Sequence, residues 1–164
     1  MRLMGLDPGL RITGWGIIDI DGNRMRHVAD GCVKSNAKLP LAERLVQLYE
    51  GVEEVIKRFG PIEAAVEETF VNKNPNSTLK LGQARGVVML TPARAGLSVS
   101  EYTPNQVKKT VVGTGHAGKE QVQMMVKTLL PTATMESADA ADALAVAICH
   151  AQHRNTPDKW GSLG

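Results

Sequence analysis

Apolar positions along this chain change rhythm several times, and each change marks an element. The opening "RLMGLDPGLRITGWGIIDIDGNRMRHVADGCVK" holds runs rich in Ile, Val and Leu, broken at Pro8-Gly9 and again at Asp21-Gly22-Asn23. Such runs predict three strands in an antiparallel meander, with a type II turn at Pro8-Gly9 and a hairpin at Asp21-Gly22. A helical rhythm follows. Leu41, Leu45, Leu48, Val52, Val55, Ile56 and Phe59 share one face, with Pro40 near the start and Gly60-Pro61 at the stop. "IEAAVEE" is a short strand, and the loop "TFVNKNPN" leads to a helix from about Ser77 that Pro92 should kink or end. "LSVSEY" is a fifth strand. Thr103 can cap a short helix running through Gln106 to Val111, and after the Gly-rich "GTGHAG" another helix spans about Lys119 to Leu130, ending at Pro131. A last helix follows Ser137, no internal repeat is present, and "NTPDKWGSLG" is expected to be a frayed tail.

Three antiparallel strands followed by strands alternating with helices imply a mixed α/β sheet covered on both faces. Right-handed crossovers would set the fourth and fifth strands parallel to the first and beside it. That order resembles the ribonuclease H-like fold: a five-stranded sheet, three strands antiparallel and two parallel, flanked by helices. At 164 residues the chain is expected to form one domain, residues 1–154, with 155–164 as a flexible tail. Its 43% hydrophobic and 22% charged residues are ordinary for a globular protein. No apolar run approaches a membrane span and "MRLMGLDPG" carries no secretory apolar stretch, so the expected location is cytoplasmic. Cys32 and Cys149 lack metal-type spacing and read as free, mostly buried thiols.

The final helix poses the chemical question. "ADAADALAVAICH" is small or aliphatic on nearly every side, which predicts burial, yet it carries Asp139 and Asp142 three residues apart on one face. That face continues through Val146 and Cys149, and no Lys or Arg occurs from Thr128 to His153. Buried carboxylates without partners are costly. Ser137 as an N-cap with Asp139 in the first turn accounts for one of the two acids by capping and helix dipole. Asp142 lies too far along the helix for that, and a divalent metal would account for both. Other acids stand where ligands collect, at C-terminal strand ends. Asp7 ends the first strand before the Pro-Gly turn, and Glu67 ends "AAVE"; alternation sends Glu67 and Glu68 to opposite sides, which leaves their roles exchangeable. A turn Asp or a solvated Glu would be unremarkable singly. Four such carboxylates together point to hard oxygen ligation of Mg²⁺, for which Mn²⁺ can substitute. Two ions about 3.5–4 Å apart would neutralise the four charges and suit phosphoryl displacement.

A net charge of +2 conceals an uneven distribution. Residues 69–127 carry eight basic residues against Glu101 and Glu120 only, so a polyanion partner or a solvated basic surface would each suit that segment. Lys73, Lys80, Arg85, Lys108, Lys109 and Lys119 are its candidates for phosphate contacts. Phe70, three residues beyond Glu67 among Asn72, Lys73 and Asn74, could stack on a base or fill the core. His150 and His153 at the end of the last helix suit its C-terminal dipole better than a metal.

Four segments carry a resemblance. "GLDPGLRITGWGII", "AVEETFVNKNPNSTLKLGQARGV", "QVKKTVVGTGHAGKEQV" and "ADAADALAVAICH" resemble, in that order, segments of the RuvC-type Holliday junction resolvases, over roughly residues 2–153. The resemblance implies a structure-selective endonuclease that resolves four-way DNA junctions by paired, symmetric, metal-dependent phosphodiester hydrolysis in recombination and repair. It implies catalytic and metal-binding roles for Asp7, Glu67, Asp139 and Asp142, a role for Lys108 and Lys119 at the active site or DNA backbone, and base stacking by Phe70. Its implied partners are junction DNA, a second copy in a homodimer, and the RuvA–RuvB branch-migration complex, without a membrane. Two other classes remain open at this stage. Actin-like ATPases pair an Asp with a similar first hairpin but need two such domains, and a junction-binding module without cutting would have to tolerate four acids facing a polyanion.

Overall fold

A computed structural model describes residues 1–68 and 74–154 of this protein. Strands β1 (Arg2–Asp7), β2 (Ile12–Asp21) and β3 (Arg24–Lys34) form the meander. There follow α1 (Leu41–Phe59), β4 (Glu63–Glu67), α2 (Pro75–Arg94), β5 (Ser98–Tyr102), α3 (Pro104–Val112), α4 (Lys119–Leu129) and α5 (Ala138–His153). The expectations for Phe70, Lys73 and the tail fall outside the described residues. No helix among those described is long and apolar enough to cross a membrane.

The sheet runs β3-β2-β1-β4-β5, antiparallel across the meander and parallel from β1 to β4 to β5, as the ribonuclease H-like fold requires. Strand alternation divides the core into two layers. Met4, Leu6, Ile17, Ala64 and Val66 pack towards Val52, Val55 and Ile56 of α1 and Val88 of α2. Leu3, Ile18 and Ala65 face the other way, onto α3, α4 and α5. The α5 backbone lies so close to the sheet that side chains between them are excluded. A Cβ at Gly5 would run into the carbonyl oxygen of Ala143, and one at Gly14 into that of Asp139. Glycines in β1 and β2 thus seat the helix that carries the two aspartates.

Local details depart from the sequence expectations in three places. Gly9 does not adopt a positive φ, so Pro8-Gly9 is not a type II turn. The β1–β2 connection is instead tied by Thr13, whose hydroxyl donates to Gly9 O at 2.8 Å and accepts from Gly9 N at 3.2 Å. Second, α2 begins at Pro75 with Asn74 as its cap, two residues before the expected start, and Pro92 does not end it. Only two helical residues follow Pro92, so the missing amide disrupts the last turn alone, where Thr91 Oγ1 donates to Val87 O at 2.7 Å. Third, β3 holds one residue more than its partner strand: Ile17 pairs with Ala29 and Ile18 with His27, leaving Val28 as a bulge. Because of it, His27 and Asp30 project to the same side and meet at 2.7 Å.

Candidate active site

Three elements deliver the predicted acids to one place. Asp7 and Glu67 end the neighbouring parallel strands β1 and β4. Asp139 and Asp142 lie in the first two turns of α5, which Ser137 caps by accepting from Ala140 N at 3.1 Å. The Cys32 thiol on β3 meets the same Ser137 hydroxyl at 3.0 Å. Capping is therefore real for the first turn, but it engages neither carboxylate.

The acids feel one another strongly. Burial and the charges of Glu67, Asp142 and Asp139 push the Asp7 carboxyl up to about 8. Burial and Asp142 push Glu67 up to about 7. Asp142 is also raised, by burial and by Asp139, against the pull of Lys119 and Lys108. Such a set is a site of unbalanced negative charge, and its all-oxygen donors fit a hard divalent cation better than zinc. Among the described residues, no three His, Cys, Asp or Glu side chains close on a single point as a finished metal cage does; the acids share a field rather than a focus.

Two lysines supply opposite charge. Lys119, the first residue of α4, places Nζ 3.8 Å from Asp142 Oδ2 while its side chain stays 75% exposed. Lys108 on α3 is half-buried and lies within electrostatic reach of Glu67 and Asp142. Together with Glu67, Asp142 and the apolar Pro104, Val107, Val122 and Ala145 they line a cleft of about 170 Å³. Of the two glutamates, it is Glu67 that lines this cleft; the backbone amide of Glu68 donates to Tyr102 O at 2.8 Å.

The remaining basic candidates are scattered. Lys109, beside Lys108 in sequence, borders a separate groove with Asn105, Gln106, Gly115 and His116. Lys80 is exposed on α2. Arg85 is ion-paired with Glu101 of β5 and so tethers α2 to the sheet edge. His150 lies in the last turn of α5, as expected, but it is buried and bonded on both ring nitrogens. It is 3% exposed, with Nδ1 2.7 Å from the Tyr102 hydroxyl and Nε2 2.8 Å from Glu63 Oε1, while Arg154 closes on Glu63 Oε2 at 2.8 Å. Sequence reasoning missed this network. Its one available signal was a histidine within the apolar run of α5, three residues before His153, whose own ring reaches Thr110 Oγ1 at 2.8 Å.

Comparison with known proteins bears on this geometry. A family model described as "Crossover junction endodeoxyribonuclease RuvC" matches residues 3–150. A relative of that name in Rhodospirillum rubrum is 69% identical, the alignment covering 94% of this chain and 91% of the relative. Another of that name in Paramagnetospirillum magneticum is 68% identical over 97% of this chain and 96% of its own. Among solved structures, "T. thermophilus RuvC in complex with Holliday junction substrate" superimposes with a TM-score of 0.87 at 36% identity, covering 94% of each chain.

Proposed function

This chain belongs to the crossover junction endodeoxyribonuclease RuvC family, and from that premise we propose that it resolves four-way DNA junctions at the acidic cleft. The observation that carries the reading is the convergence of Asp7, Glu67, Asp139 and Asp142 from β1, β4 and α5 into one repulsive cluster beside Lys119 and Lys108. The family's nucleases are metal-dependent. Here Asp7, Glu67, Asp139 and Asp142 would hold Mg²⁺, two ions per site, with Mn²⁺ able to substitute. The bound metal supplies Lewis acidity at a scissile phosphodiester.

The chain's own groups do the rest. At neutral pH Asp7 retains a proton, and Glu67 is poised between its two states; both must release it to act as ligands, so cutting should strengthen towards alkaline pH. Lys119, exposed and already leaning on Asp142, can approach a phosphate oxygen and stabilise the charge that develops there. Lys108 lies deeper and offsets the negative field that would otherwise repel the DNA backbone. Val107, Val122 and Ala145 form the apolar part of the cleft wall. Phe70 stacks on bases near the crossover, with Lys73, Lys80 and Lys109 contributing phosphate contacts away from the reacting group, while Arg85, expected among them, is engaged by Glu101.

Two such clefts related by a two-fold axis match the symmetry of a four-way junction, which favours a homodimer. We place its interface on α2, where Leu79 and Leu90 are 63% and 57% exposed on the same helical face as Gly82 and Gly86. RuvA–RuvB is the further partner that the family resemblance implies. The test is direct: incubate the protein with a synthetic four-way junction, with and without Mg²⁺, and map the cuts. Paired nicks at symmetric positions that require the metal are expected; an intact junction after exposure to protein and Mg²⁺ would overturn the reading.

A further inference from the structure

The acids of the cleft repel one another, so nothing among them draws α5 towards the end of β4. Some other contact must set that gap. Tyr102 occupies the right place. It is the register partner of Glu67 across the β4–β5 pair, and its carbonyl accepts from the amide of Glu68 at 2.8 Å, which ties it to the strand end that presents Glu67. Its hydroxyl reaches His150 of α5 at 2.7 Å, two helical turns beyond Asp142. The other ring nitrogen of His150 meets Glu63, the first residue of β4, at 2.8 Å. Arg154, just past α5, holds the same carboxylate through Nη2 at 2.8 Å and Nε at 3.2 Å.

The hydrogen-bond arithmetic is complete with a neutral imidazole. Tyr102 donates to Nδ1, and Nε2–H donates to the Glu63 carboxylate. Burial lowers the His150 pKa and thus favours that neutral form, with Glu63, Arg154, Tyr102 and His153 as the groups facing it. One imidazole therefore bonds to both β4 and β5, and it sits on the helix that presents Asp139 and Asp142. Elsewhere α5 meets the sheet through apolar packing and the close glycine backbones of β1 and β2, with Cys32–Ser137 as a polar contact near its start; packing alone resists rotation of a helix weakly. Directional bonds fix rotation as well as height.

We infer that Tyr102 and His150 are positioning residues for the acidic site: the Tyr102–His150–Glu63 chain sets how α5 presents Asp142 to Glu67. This rests on the metal-ligand reading above. The chain touches no reacting group, so its loss changes how well the acids gather a cation and leaves the DNA-binding surface alone.

The experiment uses the full-length protein, Tyr102→Phe as the main variant, and Asp142→Asn as a control. Tyr102→Phe keeps the ring and its packing and removes only the hydroxyl. Mg²⁺ is titrated against the thermal midpoint of the DNA-free protein, and separately against junction cutting; junction binding is measured without divalent metal. Tyr102→Phe is expected to raise the Mg²⁺ concentration for half-maximal effect about tenfold in both titrations, with junction binding unchanged. His150→Gln, which keeps a donor able to reach Glu63, should fall between wild type and His150→Ala. A folded Tyr102→Phe protein with the wild-type Mg²⁺ dependence overturns the positioning role, whatever happens to its midpoint without metal. The control separates the two readings. If Asp142→Asn cuts and responds to Mg²⁺ like wild type, the ligand assignment itself fails; if it is inert while Tyr102→Phe behaves as wild type, only the positioning role fails.

Discussion

Glu63 and Glu67 are the first and last residues of the same five-residue strand, yet their surroundings treat them in opposite ways. Arg154 and His150 hold the Glu63 carboxyl below its ordinary range, outweighing its partial burial. Among the described residues, Glu67 has no such partner close by. Burial and Asp142 push it up to about 7, against the pull of Lys108 and Lys119. The two ends of α5 repeat the contrast, with a fully bonded imidazole at one end and carboxylates that cap nothing at the other. A completed polar network contributes stability, whereas an incomplete one stores a demand that an external cation can meet. Position in the sheet does not distinguish the two glutamates, since both end a buried strand; their neighbours do.

The largest effect should come from the incomplete end. Asp7→Asn is expected to lower junction cutting at least about a thousandfold while leaving junction binding intact, read by cut mapping beside a gel-shift titration. The same substitution should make the metal-free protein more stable, by about 1–2 kcal/mol at pH 8 in urea denaturation. The sign follows from linkage. A carboxyl raised to about 8 in the fold retains a proton that the unfolded chain has already released, so stability falls as pH rises towards 8, and the asparagine is spared that loss. An unchanged or lower metal-free stability would show that the cluster is not strained.

Next in size is the seat of α5. Gly14→Ala places a methyl group against the Asp139 carbonyl, where the helix can yield only by lifting off β2. A loss of roughly 1–3 kcal/mol is expected in thermal or urea unfolding, together with weaker Mg²⁺ stabilisation, since Asp139 moves with its backbone. A neutral outcome would mean that the close approach constrains less than its geometry suggests.

The sharpest comparison is the smallest in energy. Glu63→Gln should lower stability near pH 7 by about 1–2 kcal/mol, and Glu67→Gln should leave it unchanged or raise it. Their pH profiles should also diverge. Glu63 is lowered in the fold, so its contribution is present above the unfolded carboxylate range and is lost as pH falls through the folded value. His150 is lowered too and stays neutral in the fold, so the unfolded chain takes up its proton first and stability declines as pH drops below about 6.5. Glu67, raised to about 7, works the other way and adds stability as pH falls from 7 towards its unfolded value of 4.5, so Glu67→Gln should lose stability more steeply than wild type across that range, while Glu63→Gln should show a shallower loss below 4.5. Denaturant midpoints between about pH 8 and pH 3 would measure wild type and both variants; parallel curves would erase the distinction.

Much of the fold could be read along the chain because its elements announce themselves locally. Asp21-Gly22 marks the hairpin, Gly60-Pro61 the end of α1, Thr103 the capping box of α3, and Ser137 the start of α5. The acids were legible for a different reason. Asp139 and Asp142 interrupt a helix too apolar to explain them, and Asp7 and Glu67 end adjacent strands. Lys119 was legible as a basic residue, but its place beside the acids came only through family resemblance, since nothing in its own helix sets it against Asp142. The Tyr102–His150–Glu63 chain joins residues 48 and 87 positions apart and leaves no periodic trace. Pro92 does not end α2 because a proline's effect depends on how many helical hydrogen bonds lie beyond it, and here few do.

The supernumerary Val28 has a consequence for how the family can vary in length. It resets the inside-outside parity of β3 halfway along, so the strand's second half is indexed from Val28 rather than from the hairpin. Gains or losses of single residues at the Asp21–Asn23 tip can be absorbed by the turn. A deletion between Ala29 and Lys34 would exchange Cys32 and Val33 between the two core layers, removing the thiol from Ser137 and the valine from beneath α1 in one step.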